Sequence, residues 1–305
     1  MLFRLRLLCL TALCLLAAPA AAAVCDALWV DRARGRAIPV RIQLPESGAR
    51  LAAIIWSPGL GATTSGGGVW ARGWLAAGFA VITVQHPGSD NIAYAREPAA
   101  TRPARLRRAT SGLHMAERAG DVGLVLDELA RRPREGACDL ARIDPDRIGV
   151  AGHSLGAWTV QALAGQRFGG ERGQIDRRPR AFIGLSGSQL EPGDPAAIFG
   201  GIGRPYLMIS GTLDGAGDGD IVARRTMIWR GLPADGRKYM ALFGDATHMM
   251  FAGNRPATTA LGRRVEAEVI RLSTAFWRRW LLDDAAADAV LAHPGLPAAD
   301  RWEHK

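Results

Sequence analysis

The sequence predicts an α/β fold in which helices cover both faces of a mostly parallel central sheet. Short, almost wholly apolar runs alternate with helical segments along the chain. Apolar runs of this kind are typical of strands buried on both faces, and their alternation with helices is typical of parallel strand pairs. A serine flanked by glycines also lies directly between one such run and a helical segment, which indicates a tight strand-to-helix turn.

The predicted strands are short and rich in β-branched and aromatic residues. They are Val40–Leu44, Leu51–Trp56, Phe79–Val84, Arg147–Ala151, Ala181–Leu185, Pro205–Ile209 and Lys238–Leu242. The predicted helices are Val69–Ala77, Met115–Arg132, Leu155–Ala164 and Val265–Leu282. Because parallel sheets of this type carry their sites at the carboxyl ends of the strands, residues directly after each strand are the first candidates for chemistry.

The first 23 residues are predicted to be a secretory signal peptide. Arg4 and Arg6 precede an apolar run from Leu7 to Ala18, and Ala21–Ala23 offers a small-residue cleavage site. An uncleaved anchor is the alternative, but the run is shorter than the ~18–20 residues that a membrane span needs. We therefore expect an exported protein, periplasmic or secreted, with a single domain over residues 24–305 and no stable membrane span.

The net charge of +9 comes mainly from arginines that are scattered through the chain. One cluster stands out, at Arg102, Arg105, Arg107 and Arg108. No aromatic interleaving or nucleic-acid motif accompanies it, so a solvated basic surface is expected and a nucleic-acid partner is not. Weak attraction to an anionic membrane face or an anionic substrate is the alternative.

Two of the four cysteines lie within the predicted signal peptide, which leaves Cys25 and Cys138. An even pair in an exported protein predicts a disulfide between them. No CxxC or HExxH spacing occurs, and two cysteines alone cannot form a zinc site. We therefore expect no metal centre.

The segment from Gly152 to Gly156 matches the pattern G-x-S-x-G, with a predicted strand before it and a predicted helix after it. In this turn the serine adopts a strained backbone conformation, and a Cβ at either flanking glycine would collide with a neighbouring element. The helix that begins at Leu155 directs free N–H groups toward any anion beside Ser154. Ser154 is thus a candidate nucleophile; a glycine-rich turn with a helix-capping serine is the alternative interpretation.

A nucleophilic serine needs a base, and His248 is the candidate among the histidines. It follows a predicted strand, and it comes after both the serine and a candidate acid in the order that G-x-S-x-G hydrolases use. A structural histidine is the alternative.

The acid that would hold the imidazole is expected to be Asp214, the first carboxylate after the strand Pro205–Ile209. Asp218 and Asp220 are rivals, although they suit the N-cap and first turn of the next helix better. Asp194 follows the preceding strand and stays open as a third rival.

A developing oxyanion needs preorganised donors. The backbone N–H of Leu155, directly after the serine, is the first candidate. The second is the N–H of Leu60, because the glycine-rich loop Ser57–Ala62 follows the strand Leu51–Trp56 and can turn its amides inward.

With these motifs the chain resembles the α/β-hydrolase superfamily, and within it the predicted dienelactone hydrolases and platelet-activating-factor-acetylhydrolase-like esterases. The matching segments extend over nearly all of residues 24–290. They are Asp31–Val40, Ser57–Gly61, His86–Ser89, Gly152–Gly156, Gly211–Asp214, Thr247–Met249 and Thr274–Trp277. Pro58 stands where the family often has histidine, and Ala157 stands where many relatives have glycine. Dienelactone hydrolases proper use a cysteine nucleophile, so their substrate does not transfer to a chain with serine.

The resemblance and the motifs together imply a serine hydrolase that cleaves carboxylic esters through an acyl-enzyme. No metal or organic cofactor is expected, and the expected substrate is a small-molecule or lipid-like ester. An amidase or peptidase on the same residues is one alternative, and a catalytically silent binding protein of the same fold is another. Residues 89–114 and 165–180 are expected to frame the pocket.

Overall fold

A computed structural model describes residues 23–92, 101–168, 171–172, 175–189, 192–215 and 221–305. The predicted signal peptide, apart from Ala23, lies outside the described residues. Asp218 and Asp220 also lie outside them, as do parts of the two segments that were expected to frame the pocket.

The described chain forms a nine-stranded central sheet. Its strands in chain order are β1 (Ala23–Asp31), β2 (Arg36–Leu44), β3 (Leu51–Ser57), β4 (Ala80–Val84), β5 (Ile143–His153), β6 (Ala181–Leu185), β7 (Tyr206–Leu213), β8 (Lys238–Thr247) and β9 (Arg301–His304). Across the sheet they follow the order β1-β2-β4-β3-β5-β6-β7-β8-β9. Two-residue ladders pair Arg134–Glu135 with Cys138–Asp139 and Arg167–Phe168 with Glu171–Arg172.

The six central strands, β4, β3, β5, β6, β7 and β8, are parallel to one another. Antiparallel pairing adds β2 and then β1 beside β4, and β9 beside β8. Every residue of β3, β4 and β6 is buried. This burial on both faces explains the near-continuous apolar runs that predicted these strands.

Helices lie on both faces of the sheet. They are α1 (Gly68–Ala76), α2 (Arg102–Ala109), α3 (Gly112–Arg131), α4 (Leu155–Ala164), α5 (Pro195–Phe199), α6 (Ile221–Gly231), α7 (Ala260–Leu281) and α8 (Ala287–Ala292). One apolar core joins α3, α4, α5 and α6 to the sheet, and a second joins α1, α7 and α8 to the opposite face. The predicted α/β class with a mostly parallel, helix-covered sheet is therefore confirmed.

The sequence prediction missed the two edge strands, β1 and β9. Along β1 the apolar Val24, Leu28 and Val30 are exposed, while Cys25 and Trp29 are buried. Because apolar residues lie on both faces of this strand, the sequence lacks the alternation of apolar and polar residues that would predict it. β9 consists of charged and aromatic residues at the other edge of the sheet, where one side of the strand has no neighbour.

Several boundaries also differ from the prediction. The strand predicted over Arg147–Ala151 extends from Ile143 to His153, and the strand predicted over Lys238–Leu242 continues to Thr247. Both extensions contain Asp or Gly residues that have low strand propensity. The register of the sheet shifts at these residues, and pairing resumes at Ile143 with Leu51 and at Thr247 with Leu213. The helix predicted from Met115 begins at Gly112, with the Ser111 side chain as its N-cap.

The expected disulfide joins Cys25 to Cys138 across a sequence separation of 113 residues. Cys25 lies on the edge strand β1, and Cys138 lies in the connection between α3 and β5. The indole of Trp29 donates to the Glu135 carboxylate at 2.9 Å, which joins the same two segments a second time. The covalent bond thus fixes an edge strand that has only one neighbour in the sheet. In the part of the chain described here, no helix is both long and apolar enough to cross a membrane.

We predict that the Cys25→Ser, Cys138→Ser double variant is less stable than the wild type by up to about 4–5 kcal/mol. The chain-entropy model gives this value for a loop of over a hundred residues. Urea unfolding with and without reductant is the measurement. Reductant should bring the wild type to the stability of the variant and leave the variant unchanged, whereas equal stability of both proteins without reductant would contradict the prediction.

Candidate active site

Ser154 occupies the turn between β5 and α4 in a left-handed backbone conformation, with φ 55° and ψ −117°. Its amide donates to the Leu185 carbonyl on β6 at 2.9 Å, which holds the turn against the sheet. A Cβ at Gly156 would overlap the Ser57 carbonyl oxygen at the end of β3, and a Cβ at Gly152 would lie 2.7 Å from the same oxygen. Both glycines are therefore required by the packing, as the motif predicted.

The His248 imidazole lies between Ser154 and Asp214. Its Nε2 is 3.0 Å from Ser154 Oγ, and its Nδ1 is 2.7 Å from Asp214 Oδ1. In the neutral tautomer that suits these contacts, Nδ1–H donates to the carboxylate and Nε2 accepts the serine O–H. His248 begins a short turn of 3₁₀ helix directly after β8, so the strand end sets the position of the ring.

Asp214 follows β7 and its side chain is fully buried. Besides His248, its carboxylate accepts from Ser210 Oγ at 2.6 Å and from Arg225 Nη2 at 2.8 Å. Burial raises the pKa of this carboxyl, but the hydrogen bond from His248, the charge of Arg225 and the hydrogen bond from Ser210 outweigh it. The net pKa lies below the usual value for aspartate, so the carboxylate is ionised at neutral pH.

Asp194, the rival acid that the structure describes, forms its side-chain hydrogen bonds away from the imidazole. Asp194 is exposed and caps α5, where its carboxylate accepts from the backbone N–H groups of Ala196 and Ala197. The positions of Asp218 and Asp220 lie outside the described residues. The structure thus brings together Ser154, His248 and Asp214.

Arg225 is a residue of the site that the sequence analysis missed. From α6, its guanidinium reaches the Asp214 carboxylate and also donates to the carbonyl oxygens of Asp214, Ser186 and Gly187, at 2.7, 2.7 and 3.0 Å. Its Nη2 is 3.1 Å from His248 Nδ1. Arg225 therefore ties the loop after β6 to the loop after β7. The sequence shows basic residues shortly after the candidate acid, but nothing in it indicates that the Arg225 side chain points toward Asp214.

His153 is the second residue that the analysis left without a role. Its ring centroid lies 4.7 Å from that of His248, and its Nε2 is 3.0 Å from the His248 carbonyl oxygen. Burial, with a smaller effect from the neighbouring His248, lowers the pKa of His153 to about 3. The neutral ring donates from Nε2 to that carbonyl and so supports the backbone that carries His248. Its place inside the G-x-S-x-G motif was the signal that could have indicated this contact.

The two expected oxyanion donors belong to the helix that follows Ser154 and to the loop that follows β3. Leu155 is the first residue of α4, so its N–H has no acceptor within the helix. Leu60 lies in the loop after β3, and a Cβ on the adjacent Gly59 would come within 3.5 Å of Ser154 Cβ. Among the residues that the structure describes, neither amide has a hydrogen-bond acceptor. Both amides are thus free to donate to a reacting group at the serine.

A cleft of about 630 Å³ adjoins this loop. It is lined by Gly61, Ala62, Thr63, Ser65, Gly66, Asn91, Met249, Ala252, Asn254 and Arg255. Two of these lining residues, Gly61 and Met249, directly follow Leu60 and His248 in the chain. Within the described ranges, no cluster of His, Cys, Asp or Glu residues could hold a metal ion.

Comparison with known proteins does not assign the chain to a family. No protein-family model matches the sequence, and no curated protein matches it significantly.

We predict that Arg225→Met raises the pKa of the Asp214 carboxyl, because the carboxylate loses a neighbouring cation and a hydrogen bond. A ¹³C NMR titration of the Asp214 side chain measures this pKa. Arg224→Met is the matched control, since Arg224 is the exposed neighbour on the same helix. An unchanged Asp214 titration in Arg225→Met would contradict the prediction.

The same shift has a consequence for stability. In the wild type the folded pKa of Asp214 lies below the unfolded value of about 3.9, so its stabilisation is present above that pH and is lost as the pH falls through the folded pKa. With a higher folded pKa, Arg225→Met should lose this stabilisation at a higher pH than the Arg224→Met control. Acid unfolding followed by circular dichroism makes the comparison.

Proposed function

We propose that the chain is a serine hydrolase of the α/β-hydrolase fold that cleaves carboxylic esters through an acyl-enzyme. The observation that carries this proposal is the chain of hydrogen-bond contacts from Asp214 through His248 to Ser154. These three residues directly follow the carboxyl ends of the parallel strands β7, β8 and β5. A strained serine, a base within hydrogen-bond distance and a buried acid behind the base are the components that such a reaction needs.

In the first half of the reaction, Ser154 Oγ attacks the ester carbonyl carbon while its proton moves to His248 Nε2. The carbonyl oxygen becomes an oxyanion, which accepts hydrogen bonds from the Leu60 and Leu155 amides. The bond from carbon to the alcohol oxygen then breaks, and the alcohol leaves with the proton from His248. Asp214 stabilises the imidazolium that forms in between.

In the second half, water attacks the acyl-enzyme carbonyl and gives its proton to His248. The bond to Ser154 Oγ breaks, the acid product leaves, and the serine regains its proton from the imidazolium. The complete reaction consumes one ester and one water molecule and releases the alcohol and the acid. The cleft beside Leu60 and Met249 is large enough to receive one arm of a small-molecule or lipid-like ester.

The same residues could support an amidase or peptidase, or could persist in a silent binding protein. A fluorophosphonate probe separates the silent protein, because it labels only an activated serine. Parallel panels of esters and peptides then separate the two enzymatic alternatives. Export to the periplasm or beyond is part of the proposal, and the Cys25–Cys138 disulfide supports it because such bonds persist in oxidising compartments.

We predict that Ser154→Ala folds normally and loses ester hydrolysis by on the order of 10³-fold or more, since only residual catalysis survives without the nucleophile. Initial rates on p-nitrophenyl esters of increasing chain length provide the measurement. Ser47→Ala, at an exposed loop position, is the matched control and should keep wild-type rates. Full activity of Ser154→Ala would end the proposal.

We also predict that Asp214→Asn lowers kcat by up to ~10⁴-fold, because the amide no longer holds the correct imidazole tautomer. Asp194→Asn should stay within about tenfold of the wild type, and it serves as the matched control because asparagine can also cap α5. A large loss in Asp194→Asn with a nearly active Asp214→Asn would transfer the acid role to the preceding strand.

A further inference from the structure

A cluster of buried polar side chains lies behind the loop that carries Leu60. Arg118 on α3 is only 2% exposed, although arginine is rarely buried without an ionic partner in direct contact. Ser57, His86, Ser89 and Asp121 around it are also buried. None of these side chains forms a hydrogen bond with Ser154 or His248, so the proposed reaction does not use them directly.

The Arg118 guanidinium donates to groups on three different segments. Nη2 lies 2.6 Å from the Pro58 carbonyl oxygen and 3.1 Å from Ser57 Oγ, both at the end of β3. Nη1 lies 2.6 Å from Ser89 Oγ, and Nε lies 2.8 Å from Thr159 Oγ1 on α4. A planar fork of donors can hold three segments at once, which a point charge such as lysine cannot do.

These contacts fix both ends of the loop that carries Leu60. Arg118 holds the start of the loop at Pro58, and the Ser89 carbonyl accepts from the Gly61 amide at 2.8 Å at its end. Since Ser89 also accepts from Arg118, a single guanidinium joins the two ends.

The contact with Thr159 extends this connection to the other expected donor. Thr159 lies one turn after Leu155 on α4, and its hydroxyl also donates to the Leu155 carbonyl at 3.2 Å. Arg118 therefore links the loop with the Leu60 amide to the helix with the Leu155 amide.

The Ser57 hydroxyl donates its proton to His86, so its oxygen can accept a hydrogen bond from Arg118. Asp121 accepts from Arg34, Arg36 and His86 Nδ1, so the remaining His86 Nε2 is the acceptor for the Ser57 hydroxyl at 2.9 Å. Burial, followed by the charge of Arg118, lowers the pKa of His86 to about 4, so the ring is neutral at pH 7. Arg118 itself stays charged at that pH, because burial lowers its pKa only to about 9.

We propose that Arg118 is a positioning residue that holds the Leu60 and Leu155 amides at the separation an oxyanion needs. The inference rests on the proposed ester hydrolysis, because it assigns these amides the role of oxyanion donors. If the loss of Arg118 displaces a donor amide, the hydrogen bonds to the transition state weaken more than those to the bound ester. The reason is that the full negative charge on the carbonyl oxygen develops only after Ser154 attacks.

The test is Arg118→Gln, assayed for kcat and KM on p-nitrophenyl acetate. We expect kcat to fall by about 10–100-fold, less than the ~10²–10³-fold that follows removal of an oxyanion donor. KM should change by less than about threefold. Inhibition by phenylboronic acid should weaken in parallel with kcat, because its serine adduct places an oxygen between the two amides. Arg118→Lys should not restore kcat, because it keeps the charge and loses the fork.

Arg34→Gln is the matched control. Arg34 donates to Asp121, the carboxylate that also accepts from His86. Its other hydrogen bonds go to Asp31 and to the Glu117 carbonyl, and not to the loop, so Arg34→Gln reports general damage to the buried cluster. Its kcat and boronate affinity should stay within about threefold of the wild type. A loss of kcat in Arg118→Gln no larger than that of Arg34→Gln, or a loss confined to KM, would overturn the positioning role.

If Arg118→Gln does not fold, Thr159→Val removes the acceptor of Arg118 Nε, together with the hydroxyl donor to the Leu155 carbonyl, and keeps a side chain of similar shape. Its kcat should then fall by roughly 3–10-fold with KM unchanged, and wild-type kcat and boronate affinity would overturn the inference. Failure of the proposed function is distinguishable: a wild type without Ser154-dependent hydrolysis overturns both, whereas a Ser154-dependent wild type with unaffected Arg118 and Thr159 variants overturns the positioning role alone.

Discussion

The carbonyl group of Ser57 packs so closely against the turn at Ser154 that positions 152 and 156 have no room for a Cβ. This approach of the end of β3 to the start of α4 is the constraint on which the site depends. It places the loop with Leu60 beside Ser154. A non-glycine residue with a positive φ costs on the order of 1–3 kcal/mol. Here the hydrogen bond from the Ser154 amide to the Leu185 carbonyl of the sheet, and the one from the Trp158 amide to the Ser154 carbonyl, hold Ser154 in that conformation.

Two buried arginines hold the surrounding loops in corresponding ways. Arg225 joins the loops after β6 and β7 behind Asp214, and Arg118 joins the loop after β3 to α4 behind the expected oxyanion donors. Arg225 donates to three backbone carbonyls in these loops, and Arg118 donates to the carbonyl of Pro58. Buried carbonyls of this kind need such partners. Burying a cation is costly, and the loss of either arginine would leave several acceptors unsatisfied. The rigidity of the site therefore comes from side chains on the covering helices as much as from the sheet.

The strands in the middle of the sheet and the residues at Ser154, His248 and Asp214 were accessible to sequence reasoning because each follows from a local pattern. The supporting arginines were not, because their function depends on which distant carbonyls the fold brings near. Arg118 nevertheless left a trace: it lies at helical spacing with Val122 and Val125 on the apolar face of α3, where a charge is costly unless paired. The edge strand β1 was hidden for a different reason, since one side of it is solvent-exposed and apolar.

Two Ser–His–Asp arrangements lie among the described residues, and comparing them indicates what makes one a candidate active site. In the second arrangement, Ser57 Oγ lies 2.9 Å from His86 Nε2, and His86 Nδ1 lies 3.1 Å from Asp121 Oδ2. The serine, histidine and aspartate are thus connected through the same ring nitrogens as Ser154, His248 and Asp214. Ser57, however, lies at the end of a regular strand and is fully buried, and its hydroxyl oxygen already accepts from Arg118. Ser154 is half-buried on a strained turn, and the expected donor amides of Leu60 and Leu155 have no acceptor among the described residues. The cleft is lined by the residues that follow Leu60 and His248 in the chain. The two arrangements consist of the same residue types. What distinguishes Ser154, proposed to react, from Ser57, in the supporting cluster, is its access to solvent, its strained backbone and the free amides expected to donate to it.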